Sequence, residues 1–268
     1  MEPSLGPRAV RMSPAQPAPE PPLAGPTRRP RRGVSVLPSL FTLANLFCGY
    51  ACVVYAMRGE FATAAPLIGI AVVLDMLDGR IARMTGTASE FGVQFDSMAD
   101  IVSFGMAPAI LAFAWGLSSL GRLGWTAAFL FVTAAALRLA RFNVQAGSAD
   151  KRYFIGMPSP AAAGIVAATV YAYPAGFSER HFAAPLVLLV VVPAALMVST
   201  IRFRSFKSLD TSSRHPFRLL ILFALFIAAL VTRPEEVLVV LAYTYLASPF
   251  IGGLLARLRR RPGPAPEG

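Results

Sequence analysis

The chain has little of what soluble enzymes use to build polar sites. Of 268 residues only two are cysteine, two are histidine and fourteen are acidic. Cys48 and Cys52 lie one helical turn apart in an apolar run and read as small packing residues, so no disulfide framework is implied. Charged residues make up 15% of the chain against 55% hydrophobic, and the mean hydropathy of +0.58 excludes an ordinary soluble domain. Residues 1–33 lack any apolar core and are rich in Pro, Ala and Arg, so they are expected to be disordered and to carry no signal peptide.

Long apolar runs fill the rest. They predict an all-α, polytopic membrane helix bundle of about eight transmembrane helices near 40–57, 61–84, 92–117, 123–142, 159–175, 183–200, 216–232 and 236–255. Residues 34–41 read as a short interfacial lead-in, and Pro108 as a kink point in the third helix. The membrane domain is placed at 34–256, between the 1–33 tail and a basic tail at 257–268. The net charge of +11 invites a nucleic-acid partner, but its distribution does not. Under the eight-helix scheme, 21 of the 25 Lys and Arg residues fall on one side and only Arg58, Arg122, Arg180 and Arg233 on the other. The positive-inside rule then puts both termini in the cytoplasm and excludes nucleic acid as the reason for the charge. The cluster Arg28, Arg29, Arg31 and Arg32 is either a lipid-headgroup contact or a topology signal. His181 and His215 are read as solvated loop residues.

Four of the six aspartates are concentrated in residues 75–100. Asp75 and Asp78 are spaced i,i+3, and Asp96 and Asp100 i,i+4, so each pair lies on one face of a helix. Gly79 and Ala82 keep the first face low enough for a ligand to approach the backbone. A turn near Gly86 can bring the two pairs together. Clustered carboxylates are unstable unless cations neutralise them, and hard oxygen ligands favour Mg2+ or Mn2+. Two such ions would fit four carboxylates in a phosphoryl-transfer site. The plainer reading is four capping or salt-bridged aspartates; the cost of intramembrane carboxylates disfavours it.

The pattern Asp75-x-x-Asp78-Gly79-x-x-Ala82-Arg83, eight residues, then Gly92-x-x-x-Asp96-x-x-x-Asp100 resembles the complete signature of the CDP-alcohol phosphatidyltransferase family. The resemblance implies that Asp75, Asp78 and Asp96 are metal ligands. It implies that Asp100 is the general base and also touches a metal. It places Gly79, Arg83 and Ser89 against the CDP group. Upstream, Pro38-Ser39-Leu40-Phe41-Thr42 is similar to the family's Pro-Asn-x-x-Thr element, which contacts the nucleotide. Ser39 stands where Asn is expected, and a hydroxyl cannot supply both a donor and an acceptor as an amide does. Thr42 and Asn45 remain, either at the nucleotide or as polar residues bonded within the bundle.

The segments Asp100–Pro108, Arg138-Leu-Ala-Arg141-Phe-Asn143, Gly156–Pro160 and Ser205-Phe-Lys207 resemble the phosphatidylserine synthase branch, and Ser248-Pro249-Phe250 extends the likeness weakly. The branch implies CDP-diacylglycerol and L-serine as substrates, a homodimer, and a cell inner membrane location with the site facing the cytoplasm. Arg138, Arg141 and Asn143 are candidates for the serine carboxylate or a lipid phosphate; Arg138 and Arg141 could equally anchor a helix end. Arg202, Arg204 and Lys207 read as a headgroup-facing cluster. Neither histidine begins a His-x-Lys motif, which excludes the phospholipase-D-like route to the same product. Two alternatives stand: the same chemistry with glycerol 3-phosphate or inositol phosphate as acceptor, and a cation-coupled transporter with a carboxylate relay.

Overall fold

A computed structural model describes residues 36–85, 89–145, 154–176, 183–203 and 216–259. The expectations for residues 1–33, Gly86, His181, His215, Arg180, Arg204, Lys207 and the end of the basic tail lie outside these residues.

The described chain is helical apart from one two-residue ladder. Its elements are α1 (Val36–Met57), α2 (Phe61–Thr85), α3 (Glu90–Asp100), a π-helical stretch (Ile101–Met106), α4 (Ala107–Trp115), a 3-10 turn (Leu117–Leu120) and α5 (Arg122–Gln145). β1 (Phe154–Ile155), α6 (Ser159–Ala172), α7 (Ala183–Val198), β2 (Arg202–Phe203), α8 (Pro216–Thr232) and α9 (Pro234–Arg259) follow. α3, the π stretch and α4 form one continuous rod from Glu90 to Trp115, so the described helices make eight rods. Four helices among the described residues are long and apolar enough to cross a bilayer: Ser39–Met57, Phe61–Met84, Glu90–Trp115 and Arg122–Val144. Ser159–Ala172 and Ala183–Val198 are apolar but shorter.

Two details differ from the sequence reading. Val36 onward is already helical, so the expected lead-in is the first turn of α1. Pro108 makes no simple kink. It sits in the first turn of α4, immediately after the backbone has widened into the π stretch. A proline has no N–H to give to an i−4 carbonyl, and a helix start or a widened turn is where that loss is tolerated.

α1 is the central strut. It packs along α2 and against α3, the π stretch and α4, whereas α2 and α3 barely touch each other. A gap therefore opens between α2 and α3, floored by α1. Gly49 makes the floor possible: a Cβ there would lie 2.5 Å from Ser103 Oγ and 2.8 Å from Ser103 Cα. Small residues let helix backbones approach where no hydrophobic drive separates helix from lipid. Ser103 uses the closeness to donate its hydroxyl to the Asn45 carbonyl at 3.0 Å.

α6 is positioned from both ends. Gly156, at φ +87°, donates its N–H to the Ile201 carbonyl, and Met157 donates to Leu196. A Cβ on Gly156 would lie 2.5 Å from the Met197 carbonyl oxygen, so the turn that launches α6 accepts only glycine. The β1–β2 ladder pairs Phe154 with Phe203 beside this turn. Farther along, the Thr169 and Tyr243 hydroxyls share a hydrogen bond of 3.1 Å that ties α6 to α9.

Overpacking at a close contact costs about 1–3 kcal/mol. Gly49→Ala should therefore lower the thermal midpoint of the detergent-solubilised protein by several degrees. A melt followed by intrinsic fluorescence checks it, and an unchanged midpoint would show that α1 and the π stretch are not in close contact.

Candidate active site

The spacing of the aspartates about the α2–α3 connection explains how they meet. Asp75 lies ten residues before Thr85, and Asp100 ten residues after Glu90. Asp78 and Asp96 stand seven and six residues from the same ends. Two helices running in opposite directions from one connection thus present Asp75 opposite Asp100 and Asp78 opposite Asp96, at matched depth. At 1.5 Å per residue the deeper pair is about 15 Å in from the shared end. The cluster is set back inside the bundle.

Carboxylate oxygens of Asp75, Asp96 and Asp100 lie within 4.8 Å of one another. Asp78 is buried and close enough to Asp75 and Asp96 for their charges to interact directly. α1 supplies neutral hydrogen-bond donors to both pairs. The Thr42 hydroxyl donates to Asp78 Oδ2, and Asn45 Nδ2 donates to Asp100 Oδ1 at 3.4 Å. Thr42 and Asn45 are i,i+3 on one face of α1, so a single helix face steadies a carboxylate from each flank of the gap.

The donor set fits a divalent cation. Oxygens of three carboxylates already converge, and Asp96 Oδ1 is buried with no hydrogen-bond partner. A buried carboxylate oxygen left unpaired is costly, and a hard cation is the partner such an oxygen takes. Asp75, Asp96 and Asp100 can hold the ion, with Asp78 beside them.

Other residues singled out from the sequence are distributed around this centre. Gly79 is half-buried one position beyond Asp78, and a Cβ there would meet only Arg83 Nη1, at 3.7 Å. The space above it is open for a ligand. Arg83 is exposed in the last turn of α2. Ser89 caps α3, its hydroxyl accepting the Gly92 N–H at 3.0 Å. Arg138, on α5, donates to Ser159 Oγ at 2.7 Å and lies within charge–charge range of Asp100 and Asp75. Arg141 is half-buried at the following turn. Asn143 is exposed and donates to Ser97 Oγ at 3.0 Å, tying the end of α5 to α3. Ser159 and Tyr245 join the site without having been singled out. Ser159 fixes Arg138 from the first turn of α6, and Tyr245 of α9 interacts electrostatically with Arg138. Ser159 lies in the Gly156–Pro160 segment of the family likeness, which did not single it out, and Tyr245 has no sequence signal beyond a polar group in an apolar run.

Beside the acids runs an apolar cleft of about 800 Å³ between α2, α6 and α9. Its wall includes Val72 and Leu74, just before Asp75, and Pro160 and Tyr245, next to the Arg138–Ser159 pair. Gly69 and Gly164 deepen it, since neither would meet an atom within 4 Å on gaining a Cβ. A polar, acid-lined gap and an apolar cleft thus adjoin, the arrangement a molecule with a charged head and apolar tails requires.

Comparison with known proteins identifies the family of the chain. The CDP-alcohol phosphatidyltransferase family profile matches residues 35–198, and a second profile, CDP-alcohol phosphatidyltransferase 2, matches residues 218–248. The chain is 39% identical over 216 residues to a Helicobacter pylori protein named CDP-diacylglycerol–serine O-phosphatidyltransferase, covering 79% of this chain and 88% of that one. A Mycobacterium leprae protein of the same name is 32% identical over 229 residues, 81% of this chain and 75% of its own. An archaetidylserine synthase from Methanothermobacter thermautotrophicus is 35% identical over 169 residues, 62% and 69% of the two chains.

Mn2+ added to the protein in detergent, without lipid or nucleotide, should bind and give a broadened electron paramagnetic resonance signal. Asp96→Ala should weaken that binding at least tenfold. Undiminished binding would place the cation elsewhere.

Proposed function

This chain belongs to the CDP-alcohol phosphatidyltransferase family, and from that premise we propose that it makes phosphatidylserine and CMP from CDP-diacylglycerol and L-serine. The observation that carries the reading is the convergence of Asp75, Asp96 and Asp100 beside an apolar cleft, in a chain whose relatives carry the serine-transferase name.

In this reading the diacyl tails of the donor lie in the cleft along Val72, Gly69 and Gly164, and its diphosphate enters the gap above Gly79. Arg83 and the Ser89-capped start of α3 stand at the outer mouth, where the cytidine end would lie, and Thr42 steadies Asp78 beneath it. Asp75, Asp96 and Asp100 would hold the metal with Asp78 beside them, and Asp100 would also face the acceptor hydroxyl. When bound, divalent cations, in this proposal two ions of Mg2+ or Mn2+, would supply positive charge to the diphosphate and to the leaving phosphate. Asp100 accepts the proton of the serine hydroxyl. The serine oxygen forms a bond to the lipid-linked phosphorus, the phosphoanhydride bond breaks, and CMP leaves with the bonding electron pair. Direct displacement needs no protein nucleophile. Arg138 and, one turn on, Arg141 face the serine carboxylate or the lipid phosphate. Ser159 holds the Arg138 fork in place.

The arginine asymmetry supports a cytoplasmic membrane location with the site and both termini facing the cytoplasm. The family resemblance extends the proposal to a homodimer.

Purified protein in liposomes with CDP-diacylglycerol and Mn2+ or Mg2+ should release CMP when serine is added and not with glycerol 3-phosphate or inositol phosphate. Asp100→Asn should cut the rate about 10²- to 10⁴-fold, the range for loss of a general base, and a chelator should abolish it. Release with another acceptor would keep the family chemistry and overturn the choice of serine. A phosphatidyl-enzyme adduct trapped without serine would sink direct displacement.

A further inference from the structure

We propose that Asn45 is a positioning residue for the transfer reaction: it holds the Asp100 carboxylate in the orientation from which that group takes the acceptor's proton. The proposal rests on the phosphatidylserine-forming reading above.

Asn45 is wholly buried in α1, and it is fixed at two points. Its side-chain amide donates to Asp100 Oδ1 at 3.4 Å, and its backbone carbonyl accepts the Ser103 hydroxyl at 3.0 Å. Asp100 and Ser103 flank the place where α3 widens into the π stretch at Ile101. Asp100 is thus the last residue of regular helix, and the backbone beyond it does not repeat the α register. Aspartate also has a broad terminal torsion, so the helix alone does not aim the carboxylate. The contact from α1 does. π-helical turns are common at functional sites because they re-aim side chains in this way.

The amide end facing Asp100 is fixed by charge. A flipped side chain would turn its carbonyl oxygen toward a carboxylate, so the NH2 end must face the acid. The remaining oxygen, Asn45 Oδ1, is then buried without a hydrogen-bond partner. A leucine of similar size would fill the same place in the bundle without the unpaired amide oxygen, but it would take this donor away from Asp100. Packing therefore gives no reason for an amide at position 45, and the contact with Asp100 does. A proton acceptor must sit within hydrogen-bond reach of the proton it removes, and small losses of aim cost rate directly.

The test compares Asn45→Leu and Asn45→Ala with the unsubstituted protein and with Thr169→Val, which breaks the remote α6–α9 hydroxyl contact. Four quantities are measured: kcat for serine-dependent CMP release, KM for each substrate, Mn2+ affinity without substrate, and the thermal midpoint. Both Asn45 variants should lose at least tenfold in kcat, with both KM values within about threefold and any loss of Mn2+ affinity smaller than the loss in kcat. Thr169→Val should lower the thermal midpoint with kcat within twofold. Should the two Asn45 variants lose their cooperative melt, Asn45→Ser decides, because its shorter side chain cannot reach Asp100 and its kcat should fall in the same way. Unchanged kcat in the folded Asn45 variants overturns the proposal alone. So does a fall in kcat matched by equal losses in KM and Mn2+ affinity, which is general distortion. No serine-dependent release from the unsubstituted protein overturns the underlying reading and this proposal with it.

Discussion

The structure depends on holding four carboxylates together inside an apolar bundle. Each would cost several kcal/mol to bury alone, and each raises the cost of the others. Three kinds of compensation surround them. α1 donates hydrogen bonds from Thr42 to Asp78 and from Asn45 to Asp100. Arg138 brings a positive charge within range of Asp75 and Asp100. The Asp96 oxygen is buried with no hydrogen-bond partner, and a cation there would complete the balance. The fold around the acids follows from this need. α2 and α3 stand apart to leave room, and α1 comes close to the π stretch beyond Asp100 because Gly49 has no side chain.

Much of this was legible in the chain. The helical rods follow from apolar runs of membrane length, and the acid pairs from their i,i+3 and i,i+4 spacings. The mirrored distances of Asp75 and Asp100 from the α2–α3 connection were also present in the sequence, and they are the physical reason the motif works as a unit. What could not be read concerns the contacts between helices distant in sequence. Nothing local to Asp100–Met106 signals that the helix widens there, because a π stretch is settled by packing against α1 and by Pro108 downstream. Arg138 reads as a helix-end arginine until α6 brings Ser159 to it. The Asn143 amide is joined to Ser97, a contact between α5 and α3 that its position in the chain does not announce. Ser159 lies in a segment of the family likeness but nothing there points to Arg138, and Tyr245 carries no signal of its own, since a lone hydroxyl in an apolar helix is common.

The bundle divides its labour between two neighbouring spaces. The gap between α2 and α3 is acidic and built from residues of the family signature. The cleft between α2, α6 and α9 is apolar, lined by aliphatic residues of α2 and α9 and deepened where Gly69 and Gly164 lack side chains. Arg138, Ser159 and Tyr245 stand where the two spaces meet, and they come from three different helices. A lipid-linked substrate would span both spaces, with its reacting phosphorus at that junction. The clustered aspartates are read from one short stretch, whereas Arg138, Ser159 and Tyr245 at the junction are scattered along the chain.

The central claim is that the aspartate cluster is a cation site. Anomalous X-ray diffraction at the manganese edge, from crystals grown in lipidic mesophase with Mn2+, tests it most directly. The account predicts strong anomalous density among Asp75, Asp78, Asp96 and Asp100, lost in Asp96→Ala crystals. Well-ordered aspartates with no anomalous density between them, or manganese bound elsewhere in the bundle, would contradict it.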